Sequence, residues 1–112
     1  MGLFFKKKKI DKDLIDEDLK IIKTNTQIID ILMVHADVCE PLVEKLKELR
    51  EKIEFLNPSV KAEVKNADKK IGDKLGDIKI ALSKCSAKGE FDGWEKLTRE
   101  IEVAIAERNV KL

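Results

Sequence analysis

The stretch Ile28 to Cys39, Ile-Ile-Asp-Ile-Leu-Met-Val-His-Ala-Asp-Val-Cys, constrains the fold of this chain more than any other. Drawn on a helix, Ile29, Met33 and Ala36 form one stripe and Ile28 and Leu32 a second. Ile31, Val34 and Val38 carry apolar surface round most of the circumference. A helix apolar nearly all round belongs in an interior. The β-branched content also suits a strand. A lone strand has no partner for its backbone groups, however, and no other segment alternates with a period of two, so the helical reading stands.

Upstream, Ile15, Leu19, Ile22, Thr26, Ile29, Met33 and Ala36 recur at alternating steps of four and three, which traces one helical seam with a polar layer at Thr26. The alternative is a short helix ending near Lys23, because Thr24 and Gln27 also fit a capping box. The acidic run Asp11, Asp13, Asp16, Glu17 and Asp18 suits a helix start, where negative charge meets unpaired amides, and places that start near Asp13. Pro41 lacks an amide hydrogen and would collide with the carbonyl of Asp37, costing about 3 kcal/mol inside a helix. A break or kink over Asp37 to Pro41 follows, leaving the first two helices separate or joined as one long kinked helix.

Leu42, Leu46, Leu49, Ile53 and Leu56 then give the most regular amphipathic stripe, with charged residues on the remaining faces. Asn57-Pro58-Ser59 punctuates the chain, with Pro58 suited to a first helical position. A third helix runs from there to about Lys84 on Val60, Val64, Ala67, Ile71, Leu75, Ile78, Leu82 and Cys85. Ser86 to Gly93 reads as a loop. Asp92 and Glu95 supply a capping signal, Phe91 packs over the new turn, and Trp94, Leu97, Ile101, Ala104, Ile105 and Arg108 line one side of the last helix.

Short links between successive amphipathic helices predict an all-α, antiparallel up-down bundle of about four helices. Residues 1–12 read as a basic and apolar tail, and 13–112 as a single helical domain. In such a hairpin the second and third helices pair residues whose numbers sum to about 115. That rule sets Gly72 opposite Val43 and Gly76 opposite Cys39, where two glycines facing a break admit close backbone approach.

Charged residues make up 40% of the chain, Tyr is absent, and the apolar content is mostly Ile, Leu, Val and Ala, the usage of bundles and coiled coils. A net charge of +1 provides no overall field to attract a polyanion. Two distant cysteines, Cys39 and Cys85, form no Cys-x-x-Cys pattern and suit a reducing, cytoplasmic setting. No apolar run approaches the roughly 18 residues of a membrane span, and Met-Gly-Leu-Phe-Phe is too short for a signal-peptide core.

Two features suggest contact surfaces. Phe4 and Phe5 followed by Lys6, Lys7, Lys8 and Lys9 resemble a weak tether for an anionic membrane, worth about 1 kcal/mol per lysine. Lys6 stands where the myristoylation pattern needs Ser or Thr. The same lysines lack interleaved aromatics for stacking on bases, which argues against nucleic acid. The second feature is the surplus apolar surface after Gln27. Three neighbouring helices do not readily cover a rod apolar on three sides, so Ile28, Ile31, Leu32 and Val34 are expected to meet a second copy of the chain or another helical protein.

Chemistry has little support. His35 and Cys39 are one helical turn apart, but two ligands do not make a zinc site, and in-line first helices put Cys85 ~13 Å from Cys39. His35 is expected to be buried or half-buried. Glycine-rich phosphate loops and nucleophile motifs are missing, and Asp73, Lys74 and Asp77 exclude a membrane role for Gly72-x-x-x-Gly76. No catalytic, metal or cofactor residue is assigned. The expectation is a non-enzymatic interaction or scaffold module, self-associating as a homodimer through its first helix. The alternative is a peripheral membrane adaptor held by its N-terminus.

Overall fold

The computed structural model of the chain describes the backbone of residues 2–36, 39–84 and 93–112, with side chains from residue 11 onward. Every regular element among them is helical: α1 (Gly2–His35), α2 (Glu40–Glu54), α3 (Ala62–Ser83) and α4 (Trp94–Lys111). α1 packs on α2 and α3, and α4 packs on α3 and α2, while α2 and α3 scarcely touch.

α1 begins at Gly2 instead of near Asp13. No proline or internal glycine interrupts Leu3 to Asp18, and the lysines there are good helix formers, so the acidic run lies within the helix and does not start it. The helix also continues through Lys23 to Gln27, as the phase of the seam predicts. The hydroxyl of Thr26 turns back to donate to the Lys23 carbonyl at 2.7 Å.

The buried face of α1, however, is Asp18, Ile22, Asn25, Ile29, Leu32 and Ala36. It shares Ile22, Ile29 and Ala36 with the predicted seam and differs at every intermediate step. Asp18, Asn25 and Leu32 point inward where Leu19, Thr26 and Met33 were expected. Two seams that share every seventh residue are equally compatible with a straight helix. The one with polar members won because those members find partners, as described below.

α1 stops at His35, Cys39 is extended, and α2 starts at Glu40 with Pro41 in its first turn, where a missing amide hydrogen forfeits no hydrogen bond. Leu42, Leu46, Leu49 and Ile53 are all fully buried, and Leu56 packs against their edge. Arg50 extends from α2 to Asp30 on α1, with its Nε 2.6 Å from Oδ1, and also pairs with Glu54.

α3 starts at Ala62, four residues after Pro58. The amide of Ser59 is engaged elsewhere and Lys61 keeps an extended backbone, so Pro58 does not take the first helical position. Val64, Ala67, Ile71, Leu75, Ile78 and Leu82 are buried as their spacing predicts, together with Asp68, whereas Val60 is exposed. α4 follows Gly93, whose φ of 85° is a left-handed conformation that glycine adopts without strain. Its inward residues are Thr98, Ile101, Ala104, Ile105 and Arg108, with Trp94 and Leu97 packed half-buried against the core. The predicted cap at Asp92, the packing of Phe91 and the position of Cys85 lie outside the described residues.

The pairing rule for α2 and α3 does not hold. Gly72 faces Asn25 of α1, and a Cβ built on it would lie 2.7 Å from Asn25 Oδ1, while one on Gly76 would meet nothing within 4 Å. The rule assumed that consecutive helices are neighbours. Here α3 lies against α1 instead, because the buried polar groups of α3 have their partners on α1 and α4.

Candidate functional site

Two regions stand out once the helices are packed: a buried polar cluster at one end of the bundle and an apolar strip on the outer side of α1 at the other.

The cluster is built from Asp18 of α1, Asp68 of α3 and Arg108 of α4, each 0% exposed. Arg108 Nε donates to Asp68 Oδ1 at 2.5 Å, and its Nη2 donates to the Asn57 carbonyl at 2.6 Å and lies 3.6 Å from Asp18 Oδ2. The amide of Ser59 donates to Asp18 Oδ2 at 2.9 Å, and Asn25 Nδ2 donates to the main-chain carbonyl of Asp68 at 2.9 Å. One guanidinium thereby ties the α2–α3 linker to α1, α3 and α4. Arginine suits this role because its planar fork directs several donors at once.

Asp18 Oδ1 and Asp68 Oδ2 are buried with no hydrogen-bond partner. Burial pushes the Asp68 carboxyl up to about 7, the neighbouring Asp18 carboxyl adds to the rise, and Arg108 opposes it. Since no member is exposed to solvent, the cluster offers no surface to a substrate, and it acts as a fastening between elements.

Around the cluster the charges are solvated. Glu17 of α1 pairs with Lys65 of α3, which holds the Glu17 carboxyl below its usual range. Lys61 donates to the main-chain oxygen of Leu112 at 2.6 Å. Farther along, Lys45 of α2 pairs with Glu102 of α4, lowering the carboxyl and raising the ammonium. This pair lines a hollow of about 240 Å³ with Trp94 and Arg99.

The apolar strip is what remains of the surplus surface after Gln27. Leu32 is 1% exposed and belongs to the core, so it is withdrawn from any outside contact. Ile28 is half-buried at the edge, whereas Ile31 and Val34 are 51% and 73% exposed. Beside them, Met33, Glu40, Pro41, Val43 and Glu44 line an open hollow of about 600 Å³ between α1 and α2. The strip is therefore narrower than the sequence implies, because the core takes the inner half of the apolar circumference.

The remaining candidates separate. Phe4, Phe5 and Lys6 to Lys9 lie within α1, but their side chains are outside the described residues. His35 is exposed, not buried, because it lies one turn beyond Ile31 on the outer side of α1 while Leu32 and Ala36 on either side of it turn inward, and Cys39 is half-buried. No group able to hold a metal ion occurs among the described residues. No helix among them is long and apolar enough to cross a membrane.

Sequence reasoning that follows apolar residues alone misses Asp18, Asn25 and Asp68. The available signal was Arg108, a cation on a stripe otherwise destined for the core, which requires a buried anion opposite. Comparison with known protein families, with characterised sequences and with solved structures finds no match for this chain.

Proposed function

We propose that the chain is a non-enzymatic helical interaction module that self-associates through the outer face of α1. The observation that carries this reading is the exposure of Ile31 and Val34, at 51% and 73%, three residues apart on a helix whose inner face is already packed. With Ile28 they form a strip at steps of three, which an equivalent strip on a second copy complements in a two-fold pairing. Leu32, predicted as a contact, takes a different role: it anchors the strip from the core side.

The bundle is read as up-down and antiparallel. Opposite senses are supported for α3 and α4 by Asp68–Arg108 with Lys74–Glu100, where numbers rise on one helix as they fall on the other, and for α1 and α2 by Asp30–Arg50 with the short junction at Ala36 and Cys39. Such a body leaves the outer side of α1 at Ile31 and Val34 open.

Sedimentation velocity over a concentration series tests the reading. The wild-type chain shifts from monomer toward dimer as concentration rises, and Ile31→Glu with Val34→Glu holds it monomeric with its helical content unchanged. A wild-type chain that stays monomeric throughout refutes it.

A second reading, a peripheral membrane adaptor, is favoured by one observation. α1 has 34 residues, ~51 Å of helix, against 22 residues in α3, ~33 Å, and the molecule is 63 Å long. The helical turns preceding Asp18 therefore extend past the linker end of the bundle, and Phe4, Phe5 and the four lysines belong to those turns in sequence. Binding to anionic but not neutral vesicles, weakened by salt and lost on deletion of residues 1–9, is the expected result.

A further inference from the structure

The two buried carboxyl groups and the single guanidinium at the linker end do not balance as ions. Two carboxylates against one Arg108 leave one uncompensated negative charge in a site that is 0% exposed, where an unpaired charge is strongly disfavoured. The oxygens without a hydrogen-bond partner are Asp18 Oδ1 and Asp68 Oδ2, one on each carboxyl, and both carboxyls meet the same guanidinium, at 3.6 and 2.5 Å, which brings them into one site. A single proton placed between them satisfies both oxygens and neutralises the cluster.

We propose that Asp18 and Asp68 hold one proton between them, Asp68 Oδ2–H donating to Asp18 Oδ1, and that its release to solvent unfastens the linker end of the bundle as a pH-sensitive latch. Two carboxyl groups sharing a site cannot readily both ionise, so one retains its proton well above the ordinary range. The rise of Asp68 to about 7 agrees with this arrangement and sets the latch near neutral pH.

The direction of the effect follows from linkage. The folded chain keeps a proton that an unfolded aspartate, with a pKa near 3.9, has already lost. The latch is therefore fully closed below about pH 4, loses stability between about 4 and 7, and is level above that window. What weakens is the set of contacts through which Asp18 holds the Ser59 amide and Arg108 holds the Asn57 carbonyl.

The other charged groups near the cluster do not reproduce this behaviour. From α1, Glu17 is paired with Lys65 of α3 and is held below its usual range, so it titrates outside the window. From the linker, Lys61 is bound to the main-chain oxygen of Leu112, and Asn57 and Ser59 are neutral. From α4 the cluster receives Arg108, and no ion pair or hydrogen bond joins a charged side chain of α2 to it among the described residues. His35, the chain's one histidine, is exposed 17 residues away on α1, ~25 Å along the axis.

The test combines carbon-detected NMR titration of the aspartate carboxyls with urea unfolding at pH 5 and pH 8. The comparison is between the wild-type chain, Asp68→Asn and Asp18→Asn, all in a His35→Gln background. In the unsubstituted cluster one carboxyl carbon titrates near pH 7, and the unfolding constant rises by up to about a hundredfold from pH 5 to pH 8. Either asparagine supplies a permanent amide donor in place of the shared proton and removes that rise. Should one variant fail to fold, the other and the wild-type titration still decide. Carboxyl carbons that all titrate below pH 5, or an asparagine variant with the same pH dependence as wild type, would overturn the proposal.

Discussion

Replacing Arg108 with Met tests the buried cluster most severely, because it removes the one cation and leaves the groups it held. Met fills much of the same volume, so a cavity contributes little. Three interactions disappear: the 2.5 Å bond to Asp68, the 2.6 Å bond to the Asn57 carbonyl and the 3.6 Å approach to Asp18. Breaking a buried pair by removing one partner costs about 3–5 kcal/mol, most of it from the charge left behind. A chain of 112 residues has a total stability of about 6–17 kcal/mol, so the loss is a large fraction. With a urea slope of about 2 kcal/mol/M, the unfolding midpoint falls by about 2 M at pH 7.

Far-UV circular dichroism and Trp94 fluorescence followed through the same urea titration report the change and test whether unfolding is two-state. The deficit also has a pH signature. Lowering the pH neutralises the negative charge that Arg108 compensated, so the gap between variant and wild type narrows as pH falls toward 4. Adding Asp18→Asn and Asp68→Asn to Arg108→Met recovers part of the stability at pH 7, since neutral side chains no longer need a counter-ion. An Arg108→Met chain within about 1 kcal/mol of wild type at pH 7 would refute the account of the cluster.

The other predictions use the same unfolding assay or the solution measurements above. Gly72→Ala puts a methyl against Asn25 Oδ1, whose side chain is tied to the Asp68 carbonyl, and destabilises by about 1–3 kcal/mol despite the better helix propensity. Gly76→Ala meets open space in the same helix and stabilises by about 0.5–1 kcal/mol, so the two glycines respond with opposite sign. Leu46→Ala empties a fully buried position in α2 and costs about 2–5 kcal/mol. Ile31→Glu and Val34→Glu change monomer stability by no more than about 0.5 kcal/mol, because neither position is in the core, while altering the sedimentation profile.

Where apolar residues alone form a face, the sequence reading and the packed helix agree. α2 buries Leu42, Leu46, Leu49 and Ile53, and α3 buries its apolar positions from Val64 to Leu82 as expected, with Asp68 added to that face and Val60 left exposed. The disagreements fall where polar residues belong to the core. The spacing of apolar residues selects Leu19 and Met33, and the phase of that seam carries Thr26 with them, whereas Asp18, Asn25 and Leu32 turn inward. Asn25 is buried against Asp68, and Asp18 against Ser59 and Arg108. That compensation comes from residues some forty to ninety positions away, which helical periodicity does not register.

The sequence by itself determined the helical class, the continuity of α1 through its polar middle and the inward faces of α2 and α3, since these follow from propensity and from a period of 3.6 along one segment. Only tertiary structure decided which of two seams sharing Ile22, Ile29 and Ala36 turns inward, and which helix lies beside α3. It also decided how much of the Ile28 to Cys39 surface stays exposed. Those outcomes depend on pairing between distant segments, where a buried charge is tolerated only if another element brings its partner.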